Sequence, residues 1–359
     1  MWADVFCAGA VGIGVPYDRL AGRLRADPAT VTVGTLADGS VDDYYRLREG
    51  ESTITSRAAL AAAIAAGRDS FDLDHVTTDA GGQAVNAARQ AAALGDDVRL
   101  AGHLDHPVFE FRHVEAVSMG SPARVTVCLL DDDDVMFVEE SADLAAWTLA
   151  DLRAALKGPV ESFLERDALC CVNWASTPGL GAAMREMAAH DPDGGVLCVD
   201  PGPLTVAGAR DLLAALRSLG PAYDVVVSVN EDEAARLGAA VGGAVGDPTD
   251  ASLLDAVRAR AGGTGGVDEA SVVVHGTDAA VAATPTGRVT VPTLDVSPGP
   301  TETGAGDRFS GALARSLAAD WGWELALAAG NACATHYVSG RGTATRSTLL
   351  DHVETHDPS

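Results

Sequence analysis

The sequence predicts an α/β fold: a mainly parallel sheet covered by helices on both faces, with a small β-sheet lid. Three observations carry this expectation. From Ala168 to Val291, short apolar runs alternate with Ala- and Leu-rich stretches of helical length, the pattern of βαβ units around a buried parallel sheet. Ahead of that alternation, Val31–Arg48 turns around Asp38-Gly39, and Ala123–Glu139 turns around four aspartates. Both read as hairpins standing apart from the parallel sheet. Finally, 359 residues suit one large α/β domain with a small appendage. The expectation is one domain over 1–359, its lid drawn from about 15–55 and 121–141.

Taken in order, Val5–Ala10 is apolar, ends in glycines and reads as a buried strand. Val31–Arg48 is expected to supply the first lid hairpin. Ser56 caps a helix through Ala66. Gly81-Gly82 open a second helix, Ala84–Leu94, which stops at Gly95, and a strand follows at Val98–Ala101. Ala123–Leu130 and Val135–Glu139 pair as the second lid hairpin. Helix Leu149–Leu156 then leads to strand Ala168–Val172, helix Gly179–Ala189 to strand Val196–Asp200, and helix Ala207–Leu216 to strand Asp224–Val229. Helices Asp232–Leu237 and Leu253–Ala261 precede strands Ser271–Val274, Ala279–Ala283 and Val289–Val291. Two long helices, Ala305–Ala319 and Glu324–Tyr337, complete the core.

Charge narrows the partners. Lys and Arg total 25 against 51 Asp and Glu, a formal net charge of −26, and Lys157 is the only lysine. Such a field repels nucleic acid and anionic membranes, so neither is an expected partner. It also repels phosphates, so any anion site needs local compensation or a cation. The composition suits a salt-rich cytosol, where screening is nearly complete. The run Asp131–Asp134 reads as a solvated turn, since it lacks the Gly and distal Glu of a calcium loop. Six cysteines, none in a C-x-x-C pair, lie mostly in apolar runs and read as buried reduced thiols. No basic leader or membrane-length apolar run is visible. A soluble, cytoplasmic protein is the expectation.

The strongest local signal for chemistry is Thr303-Gly304-Ala305-Gly306-Asp307, directly before an Ala- and Leu-rich helix. Small residues let a ligand approach the backbone, and successive N–H groups at a helix N-terminus attract phosphate oxygens. Asp307, in the first turn, could take a proton from an attacking hydroxyl. On local physics alone the same residues also suit an ordinary helix start with a favourable acidic residue.

Further motifs in order decide between these. Gly304-Ala305-Gly306-Asp307-Arg308-Phe309 resembles the second signature of the PfkB/ribokinase carbohydrate kinases. Gly81-Gly82-Gln83-Ala84-Val85-Asn86-Ala87-Ala88, followed by Leu94-Gly95, resembles the first. Asn230-Glu231-Asp232-Glu233 is similar to the family's N-x-x-E motif, Val272–Gly276 to its nucleotide strand and loop, and Asn331-Ala332-Cys333-Ala334 to the small-residue helix beside the adenine. The resemblance runs from Val5 to about Leu350. It implies a ribokinase-like three-layer sandwich with a small β-sheet lid and an ATP-dependent kinase acting on a hydroxyl of a sugar or small polyol. It implies that Asp307 is the base and Gly304, Ala305 and Gly306 the anion hole. Asn230, Glu233, Val274, Gly276, Thr303 and Asn331 would then serve the nucleotide, and Gly81, Gly82 and Asn86 the sugar. Glu233 would organise Mg²⁺ through water, and the family also admits a monovalent cation such as K⁺. Related lids pair, so a homodimer through the lid, by edge pairing of Val31–Arg48, is a further expectation.

Departures fall on the substrate half. The family's sugar-gripping Asp would fall near Gly14, leaving Asp18 as the nearest carboxylate downstream; Thr301-Glu302 replaces an Asp-Thr pair, and Ala279 stands for a glycine. His103 and Asp105, in Gly102-His103-Leu104-Asp105-His106, are candidate substrate contacts; their spacing is not a common zinc arrangement. Arg112, Arg124 and Arg308 are candidates to offset the negative field, although surface pairing is the commoner role for any one arginine. Two rivals accompany the sugar-kinase expectation. One is a nucleoside or vitamin-precursor kinase of the same fold. The other is a catalytically silent nucleotide- or metabolite-binding protein.

Overall fold

The computed structural model describes residues 15–26, 29–131, 134–190, 194–219, 222–243, 246–262, 270–297, 299 and 303–358. The expected strand Val5–Ala10, Gly14, and the pair Thr301-Glu302 lie outside them. Among the described residues there are fourteen strands: β1 Thr32–Leu36, β2 Ser40–Glu49, β3 Ser52–Ile54, β4 Asp72–Gly81, β5 Asp97–Gly102, β6 Glu115–Ser118, β7 Ala123–Leu129, β8 Val135–Glu139, β9 Ala168–Val172, β10 Val196–Asp200, β11 Asp224–Val229, β12 Ser271–His275, β13 Ala279–Thr284 and β14 Gly287–Pro292.

Nine of them form the main sheet in the order β14-β13-β12-β11-β10-β9-β1-β5-β6. From β12 to β6 every pairing is parallel, and β13 and β14 close the edge antiparallel. Every residue of β9 and β10 is buried, as a strand covered on both faces requires. The period-2 alternation of side chains assigns each strand to two cores. Cys170, Val172, Val196 and Cys198 pack on one face with the helices Gln83–Ala93 and Ala305–Ala318. Leu169, Cys171, Leu197 and Val199 pack on the other with the helices Leu180–Ala189 and Val206–Leu216. The five cysteines among the described residues are free and buried. Among the described residues no helix is long and apolar enough to cross a membrane.

The lid is a second sheet built on β2, which pairs with β4 and β3 antiparallel and with β7 parallel; β8 lies outside β7. The β7–β8 hairpin matches the sequence expectation. The first hairpin does not exist. Asp38-Gly39 is the junction where the chain leaves the main sheet for the lid, because β1 pairs with β5 and β9 and not with β2. Residues 15–36 therefore supply a helix, Val15–Arg25, and a central strand to the body. The lid instead takes in β4, whose mostly exposed residues carry no clean apolar alternation. β2 has neighbours on both sides, so edge pairing of that segment with a second copy is closed; β4 and β8 are the outer strands.

Candidate active site

The C-terminal ends of the parallel strands open into a cavity of about 710 Å³, where α/β sheets bind ligands. Its floor is the loop predicted from sequence. Gly304 adopts φ +89°, a left-handed conformation that favours glycine. The helix Ala305–Ala318 starts there, and its first N–H groups have no intrahelical acceptors. Arg308 lies behind the loop: its guanidinium donates to Gly304 O at 2.7 Å and stacks 3.6 Å from the centre of the Tyr337 ring. A buried cation therefore backs the Gly304–Gly306 turn from the protein side. Arg112 and Arg124 are exposed and do not line the cavity.

Asp307 faces this cavity and is 8% exposed. Asn86 Nδ2 donates to its Oδ2 at 2.8 Å and Gln83 Nε2 to its Oδ1 at 3.1 Å. Both amides come from the helix opened by Gly81-Gly82, so the two glycine motifs converge on one carboxylate. Gln83 Nε2 also donates to Asp200 Oδ1 at 3.2 Å, tying a second carboxylate to the first. Asp200, at the end of β10, is further held by Ser310 Oγ at 2.8 Å and Gly202 N–H at 3.4 Å. Burial pushes its pKa well above the usual carboxylate range, and the charges of Asp307 and Glu233 push it further.

Glu233 belongs to a reciprocal helix cap. Its carboxylate accepts from Asn230 N–H at 3.0 Å, and its own N–H donates to Asn230 Oδ1 at 2.9 Å. Burial and then the charge of Asp307 outweigh those bonds and push its pKa up to about 7. Among the described residues no cluster of three or more His, Cys, Asp or Glu forms a ready-made metal site. Glu233, Asp200 and Asp307 nevertheless line one cavity, and the charge of Asp307 adds to the raised pKa of both Asp200 and Glu233. That hard-oxygen, mutually repelling set fits a divalent cation that arrives with phosphate ligands of its own.

The remaining sequence candidates divide cleanly. Gly304, Ala305, Gly306, Asp307, Asn230, Glu233, Gly276 and Asn331 all line the cavity. Gly81, Gly82 and Asn86 stand beside it, with Asn86 on Asp307. Val274 is buried in β12 two residues before Gly276, and Thr303 is exposed where the loop begins. Asp18 does not belong to the site. It is exposed on the helix Val15–Arg25, which precedes β1, and it does not line the cavity. His103 and Asp105 do not reach the cavity either. His103 is buried with Nδ1 on Ala37 O at 2.8 Å, Asp105 bonds Ser118 Oγ, and His106 caps its own short helix, so the three face different ways.

Sequence reasoning missed three carboxylates and an amide. Asp38 follows β1 and takes N–H bonds from Gln83 at 2.9 Å and Ala84 at 2.7 Å, with Asn173 Nδ2 at 2.8 Å. Burial raises its pKa despite these bonds. Asp42, in β2, lies against Gly81 so closely that a Cβ there would sit 1.9 Å from Asp42 Oδ2. Burial pushes Asp42 up to about 6. The signal for Asp38 was present in Asp38-Gly39 but was spent on a turn; Asp200 was legible as a polar residue at a parallel strand's C-terminal end. Gln83 had no signal beyond its place after the glycines.

Solved structures share this architecture. A ribokinase from Thermotoga maritima matches with TM-score 0.66 and 15% identity over 90% of this chain and 100% of that one. The phosphofructokinase-2 of Escherichia coli in complex with fructose-6-phosphate gives 0.64 and 15% over 91% and 99%. An Arabidopsis thaliana ribokinase complexed with ribose and ATP gives 0.61 and 17% over 91% and 99%. No curated protein sequence matches the chain. The fold is thus that of the ribokinases. Within that class the chain belongs to the prokaryotic ketohexokinase family, whose model matches residues 39–353.

Proposed function

We propose that the protein transfers the γ-phosphoryl group of ATP to a hydroxyl of a free ketohexose. The observation that carries this is the position of Asp307: a carboxylate fixed by two amides, at the mouth of a helix whose free N–H groups face the same cavity. Asp307 removes the proton of the acceptor hydroxyl as its oxygen forms the new O–P bond and the bond from the γ-phosphorus to the bridging oxygen of ADP breaks. The N–H groups of the Gly304–Gly306 turn stabilise the charge on the moving phosphoryl oxygens, with Arg308 behind them. Glu233 and Asp200, both on the cavity, would hold Mg²⁺, directly or through water, and a bound Mg²⁺ would neutralise phosphate charge in this acidic cleft.

The nucleoside half of ATP is assigned to the wall formed by Gly276, Thr293–Val296, Asn331, Thr335 and Val338. The sugar is assigned to Asp38, Asp42, Gly81, Gly82 and Asn86, where paired carboxylates accept from neighbouring hydroxyls. The family match supports a ketohexose. Charge supports a free sugar over a sugar phosphate, since five carboxylates and no Lys or Arg line the cavity among the described residues. The silent-protein alternative drew on a carboxylate missing near Gly14 and on the altered pair Thr301-Glu302; Asp38 and Asp42 speak against the first of these. A lid-mediated homodimer belongs to the same proposal. The exposed Met136, Phe137 and Val138 on β8 support it.

The test is ADP release from ATP and Mg²⁺ at molar KCl, with fructose and other ketohexoses, ribose, adenosine and fructose 6-phosphate as acceptors. Free ketohexoses should give the highest kcat/KM. Preference for adenosine or for the phosphorylated sugar would refute the assignment.

A further inference from the structure

Two segments outside the family-matched span of 39–353 grip one wall of the cavity. The helix Val15–Arg25 sends Tyr17 to the end of β14, where its hydroxyl donates to Pro292 O at 2.5 Å. Asn331 Nδ2 reaches the same hydroxyl at 3.4 Å and donates to Val291 O at 3.0 Å and Pro292 O at 3.2 Å. Backbone carbonyls only accept, so the amide nitrogen must face them and the amide oxygen must face away. Asn331 lines the cavity, and so does Thr293–Val296, the stretch directly after Pro292. Tyr17 is 3% exposed, and burial raises its phenol pKa, so it remains a donor.

The other end of the chain holds the same stretch. Asp295 N–H donates to Asp357 O at 2.8 Å, and Leu294 forms a bridge with Pro358. The helix carrying that tail, Arg346–Thr355, bonds the wall through His352 Nε2 and Thr335 Oγ1 at 3.0 Å. It is tied in turn to the N-terminal helix: Arg346 Nε donates to Leu24 O at 2.7 Å. Two terminal segments, braced against each other, thus clamp one strand end and one helix face from behind.

We propose that Tyr17 is a positioning residue for nucleotide binding, holding Asn331 and the Pro292–Val296 wall in the geometry that accepts the nucleoside half of ATP, with the tail from His356 onward as a second clamp. This rests on the assignment of that wall to the nucleotide. Removing one hydrogen bond while keeping the ring predicts a change of about fivefold. Steady-state kinetics, calorimetric ATP binding and thermal unfolding would be measured for Tyr17→Phe, for a chain ending at Thr355 and for Arg25→Ala. Tyr17→Phe should raise KM and Kd for ATP about fivefold, with kcat and the sugar KM changed less than about twofold. The shortened chain should move in the same direction. Arg25→Ala, whose pair with Glu354 is exposed, should leave all three constants unchanged. An ATP affinity unchanged in both Tyr17→Phe and the shortened chain overturns the proposal. So does a loss that strikes kcat, the sugar KM and ATP equally, the mark of a merely structural role. ATP binding is read directly, so a wild-type protein that binds ATP without turning over any sugar would remove the proposed function and still leave Tyr17 tested.

Discussion

Replacing Asp307 by Asn separates chemistry from folding more sharply than any other change. The side chain keeps its shape but loses its charge and its basicity. In the folded protein Asp307 accepts from Asn86 Nδ2 and Gln83 Nε2. An Asn there can offer one oxygen, so one donor pair would face another, at about 1–3 kcal/mol for an unsatisfied buried group. Against this, the substitution removes a negative charge that raises the pKa of Asp38, Asp200 and Glu233. The two effects oppose, so net stability should change by no more than about 2 kcal/mol. The reaction has no such offset. A positioned general base contributes about 10²–10⁴ in rate, or roughly 3–5.5 kcal/mol of barrier. The expectation is therefore a kcat lower by about two to four orders of magnitude, with the ATP dissociation constant within about threefold and a closely similar melting temperature. ADP release, titration calorimetry and thermal unfolding read these separately. A kcat within about tenfold of wild type would show that another carboxylate, Asp200 or Glu233, takes the proton.

Glu233 has a folded pKa of about 7 against an ordinary 4.5, so the folded state keeps a proton that the unfolded state has lost between those values. Stability should fall as pH rises from about 4.5 to about 7, Glu233→Gln should flatten that fall in thermal unfolding, and Mg²⁺ with ATP should stabilise more at pH 8 than at pH 5.5. Arg315 and Asp96 form a buried pair with contacts of 2.8 and 2.9 Å and side-chain exposures of 3% and 1%. Asp96→Ala leaves the guanidinium uncompensated and should cost about 3–5 kcal/mol in denaturant unfolding, and a loss under about 1 kcal/mol would contradict that accounting. Phe137 is 61% exposed on the outer lid strand. If the lid pairs two copies, Phe137→Asp should yield a monomer by light scattering at high salt, while a wild-type monomer would remove the lid interface altogether.

The sequence by itself determined the second half of the molecule. Apolar runs such as Ala168–Val172 and Val196–Asp200 are too short and too uniformly apolar to be anything but strands covered on both faces, and the helices between them force parallel neighbours. The glycine turn on the cavity was legible for a similarly local reason: Gly304-Ala305-Gly306-Asp307 and its helix lie within a few consecutive residues. The first half was legible only in part: the helix capped by Ser56, the helix after Gly81-Gly82, the strand at Val98–Ala101 and the β7–β8 hairpin stand as read, but the passage between the two sheets does not. Asp38-Gly39 carries the chemistry of a hairpin turn, and only the pairing of β1 with β5 and β9 shows that the chain passes there from one sheet to another. β4 escaped because a lid strand exposed along most of its length needs no apolar alternation. The proposed acceptor side of the cleft escaped because its members are brought together by packing alone. Asp38, Asp42, Gln83 and Asp200 come from three strand ends and a helix start. Local sequence records what each residue does to its own backbone. Which carboxylates share a cavity, and so which must hold protons or bind cations, depends on distances that exist only once the sheet has closed.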